Sequence, residues 1–135
     1  MNWLKSKFND ESDEFDRVAT DLSVGQPDAI WNTNYKKLQS LYQSASLTLL
    51  NESVWRTLKN TDSNKPMTMK DIKRVIQTSE IRDIYAVISE VVGSNARAPI
   101  IINIDSNHIL VAGNTRLMAC RLLDIVPKVI IIKWK

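Results

Sequence analysis

Apolar residues change their period along this chain, and the change divides it. Leu38, Leu41, Tyr42, Ala45 and Leu49 recur at helical spacing and predict one helix face in the first half. Gly25, Gln26, Pro27 and Asp28 break the pattern ahead of them. Behind them, Asn51, Glu52 and Ser53 can cap a short turn through Val54, Trp55 and Leu58. Residues 60–66 form a polar loop, the best boundary in the sequence. Beyond it Met67, Thr68 and Met69 read as a short entry strand. A helix is expected from about Ser79, with Ser79 as its cap, Glu80 in its first turn, and Ile81, Ile84, Tyr85, Ile88 and Val91 on one face.

The period then shortens. Residues 100–104 and 129–132 are nearly continuous β-branched runs, as expected of strands covered on both faces. Residues 105–108 form a polar turn that sends the first run back through residues 109–112. The fold these patterns predict is α+β: a small mixed sheet packed with helices over residues 66–135, plus a helical N-terminal extension over residues 1–65.

Composition bounds this reading without redirecting it. A chain of 135 residues, 44% hydrophobic and 24% charged, can bury one real core and is too short for two. Its apolar runs fall far short of the ~20 residues of a membrane helix, and no signal-peptide core follows Met1, so no membrane role and a cytoplasmic location are expected. Five acids between Asp10 and Asp16 suggest a solvated helix start or a mobile arm. Trp3, Trp31, Trp55, Tyr35 and Tyr42 give the first half most of the aromatics, suited to sealing a small core or binding a second copy of the chain.

The single cysteine, Cys120, lies among apolar neighbours and reads as a small buried hydrophobe. It rules out an internal disulfide and any multi-cysteine metal cage, and the identity of any metal is left open. The single histidine, His108, falls in the polar turn and reads as a solvated loop residue. Residues 1–66 hold 8 Lys and Arg against 9 Asp and Glu, whereas residues 67–135 hold 10 against 6. The mild positive excess of the second half fits a polyanionic partner.

Chemistry is expected at Gly113. Ile109, Leu110, Val111 and Ala112 form a strand-like run that turns through this glycine into a helix with an early arginine, Arg116. A glycine permits close backbone approach, first-turn amides are donors, the helix dipole is positive there, and a guanidinium fork grips phosphate oxygens.

With Pro99 to Ile102 before it and Pro127 to Ile131 after it, this segment resembles the core of the ParB/sulfiredoxin superfamily. There a proline-led strand, an alternating strand, a Gly-x-x-Arg-x-x-Ala helix start and a proline-led last strand follow in that order. The resemblance implies that Gly113 and Arg116 hold a nucleotide or nucleic acid phosphate, with Asn114 and Thr115 as donors between them and Arg97, Arg121 and Lys128 as possible neighbours. It further implies a small nuclease, nucleotide hydrolase or kinase acting in DNA metabolism, using a nucleoside triphosphate with Mg2+. Small proteins of this type are often carried by phages and plasmids.

Catalysis would need Arg116 and a carboxylate, for which Glu80, Asp83, Glu90 and Asp105 are the candidates by sequence, Glu80 and Asp105 foremost. Departures from the pattern narrow the activity. Asn114 stands where sulfiredoxins have their cysteine, so sulfinic acid repair is not expected. Ala112 stands where several kinases and nucleases have aspartate, which weakens an enzymatic reading. Ala112 and Gly113 agree with the partition proteins, but Asn114 and Thr115 replace their Glu and Arg, and no helix-turn-helix module follows. Three classes therefore remain: an enzyme, a binding module for DNA or nucleotide, and an interaction protein whose aromatic N-terminal helices bind another protein or a second copy of the chain.

Overall fold

The computed structural model describes residues 2–61, 63–79, 84–93 and 96–135. Among these the chain runs β1 (Trp3–Leu4), a 3-10 turn (Phe8–Glu11), α1 (Ser12–Leu22), α2 (Asp28–Ser44), β2 (Leu47–Leu49), α3 (Glu52–Thr57), α4 (Met69–Ser79), α5 (Ile84–Val92), β3 (Ala96–Arg97), β4 (Ile100–Ile104), β5 (Asn107–Ala112), α6 (Asn114–Leu123) and β6 (Lys128–Trp134). The architecture is α+β. A mixed four-stranded sheet has the order β2-β6-β4-β5, and β1 pairs with β3 in a separate parallel ribbon. No helix among the described residues is long and apolar enough to cross a membrane.

The β-branched runs fold as their composition requires. Ile100, Ile101 and Ile102 are consecutive and all buried, and successive strand residues face opposite sides, so β4 is covered on both. Its neighbours are β6, parallel, and β5, antiparallel. The hairpin joining β4 to β5 is tighter than the sequence suggests. Only Asp105 and Ser106 turn, at φ 50° and 68°, and two positive φ values match the twist of the flanking strands. His108 consequently lies within β5 rather than in a loop, and its Nε2 lies 3.1 Å from Asn103 Nδ2 across the ladder.

The first 65 residues contribute to the same sheet. β2 pairs antiparallel with β6, and α1 and α2 pack on each other and against β5 and β6. The acidic segment is helical from Ser12, with Phe15 and Ala19 buried. Phe15 stacks on Phe8, their rings 4.3 Å apart, with Tyr42 edge-on at 5.2 Å. Tyr42 also donates from its hydroxyl to the Ser6 carbonyl at 2.7 Å, which satisfies a buried polar atom.

Three expectations about elements are corrected. The helical face predicted through Leu49 ends early: α2 stops at Ser44, and Leu49 lies in β2, 64% exposed. Met67 to Met69 are no strand. Thr68 and Asp71 exchange hydrogen bonds, Asp71 N–H to Thr68 Oγ1 and Thr68 N–H to Asp71 Oδ2, each 3.2 Å, and this reciprocal cap starts α4 at Met69. Ser79 lies within α4 (Met69–Ser79) and is not a cap before it; α5 is described over Ile84–Val92 and buries Val87 and Val91. Glu80, Ile81 and Asp83 lie outside the described residues.

Candidate functional site

β5 ends at Ala112, and Gly113 bends the chain into α6. Gly113 has φ 108° and ψ 21°, a left-handed conformation that side-chain-bearing residues rarely adopt. A Cβ there would sit 2.7 Å from Pro99 Cβ and 2.9 Å from Pro99 Cα. The close approach that the glycine permits is thus made by Pro99, at the start of the neighbouring strand. Gly113 O accepts from Leu117 N–H at 3.0 Å, the first bond of α6, so the first-turn amides point out of the helix end.

That end carries no acidic residue in its first turn and no side-chain cap. Gly113, Asn114, Thr115 and Arg116 line a hollow of about 130 Å³, so the structure brings these four together. Arg116 Nη1 donates to the Arg97 carbonyl at 3.3 Å, which places Arg97 beside the turn as well. The Arg97 side chain lies 3.8 Å from Glu11, whose side chain is only 11% exposed. Sequence reasoning did not connect Glu11 with this turn. β1 pairs with β3, and that pairing brings the N-terminal segment alongside Arg97.

Two further contacts fix the turn. The Thr61 hydroxyl bonds Asn114 Oδ1, tying the polar loop to the start of α6. On the other side, the ladder register slips between Ile100 and Ile101, and Arg17 of α1 donates to the Val111 carbonyl at 3.0 Å beside that bulge. Arg17 is also paired with Glu14 at 2.8 Å. The turn is therefore bordered by two arginines, each with its own carboxylate.

Asp105 is not part of this constellation. It occupies the hairpin turn at the opposite end of β5, and the six residues of that strand put it roughly 20 Å from Gly113. Among the described residues no three His, Cys, Asp or Glu side chains gather as a metal cage. Cys120 is fully buried in α6, and burial pushes its thiol up to about 12.

Arg121, considered from sequence as a neighbour of the turn, has a different task. Its side chain is 9% exposed, its guanidinium lies 3.6 Å from the Trp55 ring centroid, and Nη1 donates to both oxygens of Glu52 at 3.0 Å. Nε donates to the Ser63 carbonyl at 3.2 Å and Nη2 to that of Asn64 at 3.4 Å. One side chain thus pins α3 and the polar loop onto α6. Hydrogen bonds from Arg121 and then Arg56 hold the Glu52 carboxyl below the usual glutamate value. Lys128 is exposed at the start of β6, paired in register with Leu49.

Comparison with family models, with curated proteins and with solved structures finds no match to this chain.

Proposed function

We propose that the first turn of α6 binds a phosphate group of a nucleotide or nucleic acid, in a domain of ParB/sulfiredoxin-like type. The observation that carries this reading is the hollow lined by Gly113, Asn114, Thr115 and Arg116, at a helix start with no acid in its first turn. Outward amides, the positive helix end and a guanidinium three residues on favour an anion. The order of β4, β5, α6 and β6, with the glycine turn between β5 and α6, supports the family resemblance.

Binding is favoured over chemistry. Hydrolysis or transfer of a phosphoryl group needs a carboxylate to hold a metal or orient a nucleophile. Asp105 lies in the hairpin turn at the wrong end of β5 for that work, and Glu11, beside Arg97, is engaged with that arginine. A nuclease, nucleotide hydrolase or kinase on this site would require Glu80 or another acid to reach the hollow.

Thermal shift with a panel of nucleotides, with and without magnesium, tests the reading. A ligand that binds only the folded state at a hundred times its dissociation constant stabilises by about 2.7 kcal/mol, and Arg116→Ala should remove most of that gain. If no nucleotide or oligonucleotide raises the melting temperature, the proposal fails, and self-association through the N-terminal helices becomes the better account. Phosphate release or plasmid nicking that vanishes in Arg116→Ala would restore the enzyme.

A further inference from the structure

The two edges of the four-stranded sheet differ. β5 forms one edge, and its outer side is occupied: Lys59 bridges Ile109, donating its amide to the His108 carbonyl at 3.0 Å and accepting from Leu110 N–H at 3.1 Å, while Arg17 holds the Val111 carbonyl. β2 forms the other edge, and among the described residues no strand or bridge pairs with its outer side. An edge strand is ordinarily shielded from other chains by charge, proline or a bulge. Residues 38–51 contain no charged residue, no proline and no glycine, and β2 pairs with β6 without a register shift.

The register fixes which backbone groups this open edge presents. Leu47, Thr48 and Leu49 stand opposite Ile130, Val129 and Lys128, and Leu50 N–H continues the ladder to the Pro127 carbonyl at 3.0 Å. Hydrogen-bonded pairs alternate along an antiparallel ladder, so Thr48 and Leu50 bond to β6, and Leu47 and Leu49 turn their amides and carbonyls outward. Ile130 agrees, since its N–H goes to the Pro99 carbonyl on the β4 side and not to Leu47. Leu47 and Leu49 also share one face of the sheet. Leu47 packs against the core, whereas Leu49 is largely exposed.

We propose that β2 pairs antiparallel with β2 of a second copy of the chain, about a twofold axis through Thr48. In that register each Leu47 stands opposite the partner's Leu49 as a hydrogen-bonded pair, so both outward residues of both strands are satisfied by four backbone bonds. The two four-stranded sheets then become one of eight strands. Leu49 meets the partner's Leu47 on the apolar face, and the two Thr48 side chains meet on the other. An interface centred on a three-residue strand falls at the small, transient end, under about 1,200 Å² in total, so the dimer forms and dissociates with concentration. It uses neither the α6 turn nor the N-terminal helices, and its failure would leave the phosphate site untouched.

Sedimentation velocity of the full chain over a wide concentration range should show a monomer–dimer equilibrium. Leu49→Pro removes an outward amide and leaves the bonds to β6, so it should keep the parent's circular dichroism and lose the dimer. Cysteines read the register. Thr48 falls in a non-hydrogen-bonded pair with its own copy, where Cα atoms approach to about 4.5 Å, so Thr48→Cys should link into a covalent dimer on oxidation with diamide; Leu49→Cys, diagonal across the axis, should link at least about tenfold more slowly. Cys120 is buried and supplies no competing thiol. Thr48→Lys, at an exposed position, sets two like charges face to face and should weaken the dimer about threefold or more, which keeps the test decisive if Leu49→Pro does not fold. The proposal is overturned if the chain stays monomeric at every concentration, if folded Leu49→Pro or Thr48→Lys dimerises like the parent, or if Leu49→Cys links as fast as Thr48→Cys.

Discussion

Replacing Gly113 with alanine separates the two roles a glycine can have at this turn. The new methyl carbon would stand 2.7, 2.9 and 3.1 Å from Pro99 Cβ, Cα and Cγ, and none of these atoms is the end of a flexible chain. Relieving such overlap costs about 1–3 kcal/mol through displacement of β4 or α6. The φ of 108° adds about 1–2 kcal/mol, because an L-residue is strained there. Alanine also restricts the unfolded chain, which returns about 0.4–1 kcal/mol. The net loss should be about 1–4.5 kcal/mol, or about 3–14 °C in melting temperature for a chain of this size.

Urea denaturation followed by circular dichroism measures it directly. If Gly113→Ala costs less than about 0.5 kcal/mol with an unchanged m-value, Pro99 does not press on this carbon, and the packing argument is wrong. Should the variant instead keep its stability and lose only nucleotide binding, the bare Cα serves a ligand.

Arg121→Ala should destabilise by about 2–4 kcal/mol, because it strands the Ser63 carbonyl and strips the Trp55 face of its cation; Arg121→Lys, lacking the fork, should recover under half in the same urea titration. The Glu52 pKa is lowered on folding, so its contribution is present above the ordinary glutamate value and lost as pH falls through the folded one. Glu52→Gln should therefore flatten the acid limb of a stability-versus-pH curve, and identical limbs would count against the Arg121 pairing. Cys120, its thiol raised to about 12 by burial, should react with a disulfide reagent at pH 8 only as fast as the protein unfolds. Immediate labelling of native protein would contradict its placement.

What was legible in the sequence follows from how locally each element is determined. Residues 100–104 and 129–132 declare strands because nearly continuous β-branched runs suit a sheet buried on both faces, and β4 and β6 lie there. Asn51 announces α3 because its side chain accepts from Ser53 N–H, a contact two residues long. Leu49 misled because it continues a helical period while its backbone is claimed by β6, and a strand of three residues is too short to show a period of two. The helix start at Thr68 is encoded in its spacing to Asp71, while the flanking methionines give it the look of a short apolar strand.

At the candidate site, Gly113 and Arg116 were visible as residue types. Pro99 behind the glycine and Glu11 beside Arg97 were not, since both arrive through long-range strand pairing. Arg121 looked like surface charge because nothing local says that Trp55 and two loop carbonyls will close around it.

The position of β6 also governs when the protein can assemble. It follows β2, β4 and β5 in the chain, yet it lies between β2 and β4. During translation β4 and β5 can zip together early, but β2 has no neighbour until residues 128–130 emerge. Until then the isoleucines of β4 remain open to other nascent chains. A stalled or prematurely released product should consequently be a client of holding chaperones rather than a partly working domain.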